Sequence, residues 1–289
     1  MTALHSADLL DNAIDMHVHT APDLIDRHGT DIDLAREAMA AGMRGVLVKS
    51  HVLPTVARVD LINDVVDAEI LYGGIALNGS VGGLNPDAVE VALDFGASVI
   101  WLPTAWSANH AQSARTAGIG RFVGQRIPEP DEELPVAIEG AVVEPVQEII
   151  ELVAEYDAVL GTGHASPAEI ETIVEACANR GARCLVNHPF FRIVDLSIET
   201  QAALAEQGAV MEYCAYAVES TDGHTIERVA EAVEQVGPEH AVLATDFGQR
   251  DNPSVEGLER FARDVHAAGL SREAVRTLLT ETPARVLDL

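Results

Sequence analysis

Short apolar runs alternate with longer stretches of helical periodicity along the whole chain. Eight runs read as strands, at about 13–18, 45–50, 69–77, 98–103, 158–163, 183–187, 209–214 and 241–246. Most are nearly unbroken series of Val, Ile, Leu and Ala, the pattern of strands covered on both faces in a parallel sheet. The intervening stretches carry helix signals. Thr30-Asp31 caps a helix that Gly42 ends, and Ser166-Pro167-Ala168-Glu169 is a capping-box start with Pro in the first turn. Further helices are expected over 144–156, 200–206, 222–236 and 254–268, and a last one opens at Ser271.

Eight strand–helix units predict an α/β fold, a (β/α)8 TIM barrel, and 289 residues suit one such domain of about 250 residues. An open dinucleotide-binding sheet is disfavoured, because no G-x-G-x-x-G turn follows the first strand. Strand starts recur regularly except between the fourth and fifth. Residues 104–143 therefore read as a long loop after strand 4. In a barrel it rises from the C-terminal face, which makes it a candidate active-site lid.

The strands end on chemistry. Ala13-Ile14-Asp15-Met16 runs into His17-Val18-His19, and residues i and i+2 of a strand share a side. Later runs stop at His164, His188 and Asp246. Imidazole and carboxylate donors at strand ends suit zinc, manganese, iron, cobalt or nickel. Lys49, the only lysine, interrupts the second strand, where an unpaired ammonium is costly. It pairs with a carboxylate, meets an anionic substrate, or is carboxylated and bridges two metals. His51 shares its side. Asn78, His110 and Arg192, together with His51, are candidate substrate-binding residues. Trp106, Phe190, Phe191 and Tyr213 are further pocket candidates. His5, His28, His240 and His266 lie away from strand ends, and His224 opens the helix after strand 7.

Asp15-Met16-His17-Val18-His19, Gly163-His164, Asn187-His188-Pro189 and Thr245-Asp246, with Glu281-Thr282-Pro283-Ala284-Arg285 near the C-terminus, resemble the amidohydrolase superfamily of metal-dependent barrel hydrolases. The resemblance spans almost the whole chain. It implies that His17, His19 and Asp246 hold one divalent metal, and that His164 and His188 hold a second or assist catalysis. Strand 4 departs from the dinuclear pattern, since Ser98-Val99-Ile100-Trp101-Leu102-Pro103-Thr104 offers neither Lys nor Glu as a bridging ligand. The expected activity is hydrolysis of a C–N or C–O bond in a small amide, cyclic imide or lactone, with Asp246 and His188 as catalytic groups. Asp246 would relay the proton of the attacking water. Decarboxylation of a small organic acid, and a metal-binding scaffold without turnover, stand as alternatives. No Gly-x-Ser-x-Gly elbow or His-Glu-x-x-His helix points to other hydrolytic chemistry.

The net charge of −28, from 46 acidic and 18 basic residues, disfavours nucleic-acid partners. Spread along the chain with a single lysine, it suggests a halophilic surface. No apolar run approaches the ~20 residues needed to span a bilayer. Neither a basic nor an apolar leader segment stands at the N-terminus, and three cysteines offer no disulfide framework, which together predict a cytoplasmic protein. The apolar helices permit self-association into a homo-oligomer.

Overall fold

Parallel strands form the wall of a barrel, and helices cover it. The computed structural model describes residues 9–117, 129, 131–220 and 225–289. In chain order the wall strands are β1 (Ile14–Val18), β2 (Gly45–Val48), β3 (Leu71–Tyr72), β4 (Gly74–Ala76), β5 (Val99–Trp101), β8 (Val159–Gly161), β9 (Arg183–Asn187), β10 (Val210–Cys214) and β11 (Ala241–Ala244). One hydrogen-bonded series runs β1-β2-β3, the other β4-β5-β8-β9-β10-β11, and every pair in them is parallel.

The single run expected over 69–77 is divided at Gly73. β3 pairs back to β2 and β4 pairs on to β5, so the two short strands occupy one place in the wall. Thr55 fills the break: its hydroxyl donates to Val48 O at 2.8 Å and accepts from Gly74 N at 2.9 Å. The other seam lies between β11 and β1. There Asp246 N donates to His17 O and His19 N donates to Phe247 O, both at 2.8 Å. With these closures the architecture is a (β/α)8 barrel.

The outer helices are α1 (Asp31–Ala40), α2 (Val56–Val66), α3 (Pro86–Asp94), α4 (Ala108–Ala117), α5 (Glu144–Glu155), α6 (Pro167–Arg180), α7 (Ile198–Glu206), α8 (Ala215–Ser220), α9 (Ile226–Val236), α10 (Ser254–Ala267), α11 (Arg272–Arg276) and α12 (Thr282–Leu287). Reciprocal capping boxes open α1, between Thr30 and Asp33, and α6, between Ser166 and Glu169. The stretch read as loop 104–143 contains α4 and a small hairpin, β6 (Ala137–Ile138) and β7 (Ala141–Val142). Residues 118–128 and 130 of it lie outside the described residues. Asp222, placed in the helix start expected at 222, lies outside them too, and α9 begins at Ile226.

Wall strands are buried along their length except at Tyr72 and Arg183, which are half-buried, as expected for a sheet covered on both faces. Trp101 is fully buried. Neighbouring strands leave room for it through glycines: a Cβ on Gly161 would lie 2.5 Å from Trp101 Cδ1, and one on Gly74 2.7 Å from Trp101 Cζ3. The indole forms a floor beneath the strand ends that carry the polar cluster. Among the described residues no helix is long and apolar enough to cross a membrane.

Candidate metal centre

β1 delivers the first two candidate ligands. His17 is its fourth residue, and His19 follows its last. A buried carboxylate fixes their place. Asp15 Oδ1 accepts from Thr245 N at 3.0 Å and His17 N at 3.2 Å, and Oδ2 accepts from Thr245 Oγ1 at 2.7 Å. These bonds tie β1 to the turn after β11, where Asp246 has φ +53°. Asp246 Oδ1 thereby stands 3.3 Å from His17 Nε2 and 3.1 Å from His19 Nε2. Gly248 lets the seam close, because at its φ of +112° any Cβ would overlap the His19 carbonyl.

Three further strand ends complete the surround. Lys49 and His51 follow β2, His164 follows β8, and His188 follows β9 in a left-handed turn at φ +33°. Five imidazoles close into a ring. Successive centroid distances are 5.4 Å for His17–His19, 4.7 Å for His19–His51, 6.2 Å for His51–His164, 5.0 Å for His164–His188 and 5.9 Å for His188–His17. They line a cavity of about 180 Å³ together with Lys49, Asp246, Arg27, Phe191 and Tyr216. His110, on α4, stacks on His164 with the two Nδ1 atoms 2.5 Å apart, so one of these nitrogens carries the proton.

Burial dominates the electrostatics. It pushes His17 and His188 down to about 3, and holds His19, His51 and His164 well below the usual imidazole range. All five are therefore neutral near pH 7, the form that offers a lone pair. The tautomer of His17 is set by Glu212, fully buried in the middle of β10: His17 Nδ1 donates to Glu212 Oε2 at 2.9 Å. Asn187 Nδ2 donates to the same oxygen at 2.8 Å, while Asn187 Oδ1 accepts from Gly163 N beside His164. Such a carboxylate–imidazole pair orients a metal-ligating histidine and raises its basicity.

The donor set fits a divalent cation. Nε2 of His17, Nε2 of His19 and a carboxylate oxygen of Asp246 converge, with ligand atoms mutually within 4.8 Å. His19 Nδ1 and His188 Nδ1 are buried without a hydrogen-bond partner, as are Glu212 Oε1 and Trp101 Nε1. His17, Glu212 and Cys214 form a second close group, but there Glu212 already takes the His17 Nδ1 proton. Lys49 Nζ donates to His17 Nε2 at 3.2 Å and lies 5.3 Å above the Trp101 ring. Burial lowers its proton affinity.

The structure gathers His17, His19, Lys49, His51, His164, His188 and Asp246 around one cavity, with His110 behind His164. Asn78 is placed differently. Its amide is spent on the His51 carbonyl, Thr104 Oγ1 and the amides of Thr104 and Trp106, so it braces the loops that hold His51. Arg192 is exposed and stands outside the cavity lining. Phe190 and Tyr213 stack on each other at 5.7 Å in the core, whereas Phe191 reaches the cavity. His28 and His266 bond to backbone carbonyls away from the site. His5 and His224 lie outside the described residues. Sequence reasoning missed Asp15, Glu212, Arg27 and Tyr216. For Asp15 and Glu212 a signal exists, a carboxylate inside an apolar strand. Arg27 and Tyr216 have none in the local pattern.

Solved structures of amidohydrolase-fold enzymes are similar over nearly the whole chain. An amidohydrolase from Pseudomonas aeruginosa superposes with a TM-score of 0.64 at 14% identity, over 98% of each chain. A probable 2-pyrone-4,6-dicarboxylic acid hydrolase from Acinetobacter baumannii, with citric acid bound, also gives 0.64, at 11% identity over 96% of this chain and 100% of that one. A 2,6-dihydroxybenzoate decarboxylase from Rhizobium gives 0.53 at 11% identity, over 96% and 99%. At such identities the likeness establishes the amidohydrolase barrel fold. No curated protein sequence matches the chain. Residues 12–212, which carry His17, His19, Lys49, His51, His164 and His188 but not Asp246, match one sequence family, and the chain belongs to it: the family of unknown function DUF6282.

Proposed function

We propose that this chain is a metal-dependent hydrolase that activates water to cleave a C–N or C–O bond, in an amide, cyclic imide or lactone, of a small organic substrate. The observation that carries the reading is the convergence of His17 Nε2, His19 Nε2 and Asp246 Oδ1 in the lining of a cavity walled by neutral imidazoles. These three would hold a divalent ion, zinc foremost, which would supply Lewis acidity for activating water. Asp246, whose side chain keeps 16% exposure among buried neighbours, accepts the proton of the attacking water and returns it to the leaving group. His188 and His164 face the reacting group as uncharged imidazoles, able to orient it or to hold a second ion. A cavity of about 180 Å³ suits a small organic molecule.

One observation favours decarboxylation as a second reading. Among the described residues a single three-ligand group faces the cavity, and β5, Val99–Trp101, carries no ligating side chain. Similar structures include a probable 2-pyrone-4,6-dicarboxylic acid hydrolase and a 2,6-dihydroxybenzoate decarboxylase. Lys49 decides the number of ions. In its present place the amine bonds the same His17 lone pair that a metal needs, so metal binding requires it to turn away, lose its proton or become carboxylated. A carboxylated Lys49 would bridge two ions. The three unpaired cysteines support a reducing, cytoplasmic setting.

The test is element analysis of chelated and reloaded protein, followed by turnover of a panel of amides, imides, lactones and aromatic acids. About one or two ions per chain, lost in Asp246→Ala, with release of an acid or amine, is the expected result. Release of CO2 selects the second reading. A fully folded chain that binds no divalent ion at micromolar concentration refutes both.

A further inference from the structure

The cavity holds one guanidinium among its described lining residues, that of Arg27. Arg27 lies on the loop between β1 and α1. This loop is pinned to the turn after β11 by a bridge between Arg27 and Gln249 and by His28 N donating to Gly248 O at 2.9 Å. The side chain is 3% exposed. Asp23 sets its direction: a single oxygen, Oδ2, accepts from Arg27 Nε at 2.8 Å and from Nη2 at 2.6 Å. That pairing occupies one edge of the guanidinium. Nη1 has no protein partner among the described contacts, and Asp23 itself does not line the cavity. Ile25, Phe191 and Tyr216 stand beside Arg27 as a largely apolar wall, with the His17–His19–Asp246 centre across the same space.

A buried guanidinium is retained where it meets an anion with matching geometry, because its desolvation is otherwise uncompensated. Asp23 offers it one oxygen only, from outside the cavity. We propose that Arg27 determines specificity by binding the carboxylate of a small carboxylic-acid substrate, through the guanidinium edge that Asp23 leaves open. Asp23 is then a positioning residue, and the apolar wall receives the carbon skeleton between the carboxylate and the reacting bond. This rests on the proposed metal-centred reaction for the identity of that bond, but not for the carboxylate contact. Phosphate is the competing anion. A carboxylate suits the site better, because only one guanidinium and no lysine other than the deeply set Lys49 line it.

The test is equilibrium binding of succinate, benzoate and their amides, with inorganic phosphate alongside, to metal-free and metal-loaded protein. Metal-free protein isolates the Arg27 contact from direct coordination. The wild type is expected to prefer at least one acid over its amide by roughly 10- to 100-fold, and Arg27→Met to abolish that preference. Arg27→Lys, which keeps the charge but not the fork, should be intermediate, and Asp23→Asn should weaken acid binding less than Arg27→Met. Metal content of each variant, measured in parallel, should equal that of the wild type. No discrimination between acids and amides in the wild type, acid binding unchanged in Arg27→Met, or phosphate bound more tightly than either acid would each overturn the proposal. Failure to retain metal with acid discrimination intact would instead strike the metal-centred reading and leave Arg27 in its role.

Discussion

Replacing Glu212 by Gln separates an orienting role from a merely structural one. The carboxylate accepts the His17 Nδ1 proton at 2.9 Å and the Asn187 amide at 2.8 Å, both on Oε2, with Cys214 Sγ at 3.6 Å. A hydrogen bond to an ionised partner contributes about 1.5–3 kcal/mol against about 1 kcal/mol for a neutral one. Gln retains an acceptor, so the loss is the charge-dependent part, about 0.5–2 kcal/mol. At 1.4 kcal/mol per decade this weakens the metal by up to about 30-fold, within the range expected when the partner of a ligating histidine is altered. Stability of the metal-free protein should move the other way. Burial raises the proton affinity of Glu212, which marks its charge as costly in the fold, and an isosteric neutral amide removes that cost. The assay is competition with a fluorescent zinc chelator, paired with urea unfolding of the metal-free chain. Weaker metal with equal or greater stability is expected. Unchanged metal affinity would refute the role given to Glu212. Loss of both together would make it a simple structural prop.

The metal-free protein should lose stability as pH falls from about 6.5 toward 3. Burial keeps His17 and His188 unprotonated down to about 3, so the unfolded chain binds protons that the folded one refuses. Each such histidine adds a slope of up to about 1.4 kcal/mol per pH unit. Asp15, pushed up to about 7 by burial, has the opposite sign, its contribution being lost as pH rises through 7. Five depressed imidazoles outweigh it together with Glu212, and a flat unfolding free energy between pH 7 and 5 would contradict this. Gly248→Ala should lower metal affinity and cost about 1–3 kcal/mol, because a Cβ there displaces the His19 carbonyl; a wild-type melting curve and metal isotherm would count against it. Lys49→Met should tighten the first metal if Lys49 acts as a competing ammonium, and should reduce the number of ions per chain if it is a carboxylated bridge; no change in either quantity excludes both roles. With a net charge of −28, the chain should unfold more readily in dilute buffer than in molar salt, and equal midpoints in the two would remove the halophilic reading.

The parts of this structure legible in the sequence share a physical cause. A parallel strand covered on both faces is apolar throughout, so its end shows up as the first polar residue, which is where barrels place their chemistry. His17, His19, His164, His188 and Asp246 are visible for that reason. The same rule misleads inside a strand. Asp15 and Glu212 read as interruptions, although each is a buried carboxylate with partners on segments distant in the sequence. Glu212 meets His17 195 positions away, and Asp15 meets Thr245 230 positions away, separations that no local period encodes. The break at Gly73 is hidden too, because Leu71 to Ala76 is one apolar run and only the change of pairing partner divides it. α4 is obscured by its composition: Ala108-Asn109-His110-Ala111-Gln112-Ser113-Ala114 has too few large apolar residues to show a helical stripe, so His110 reads as part of a loop. Arg27 marks the limit. It lies in irregular chain, and its significance comes entirely from Asp23 four residues earlier and a cavity built by other strands. Sequence periodicity therefore points to where a cation would be held, whereas selection among substrates resides in loops whose geometry only the folded chain defines.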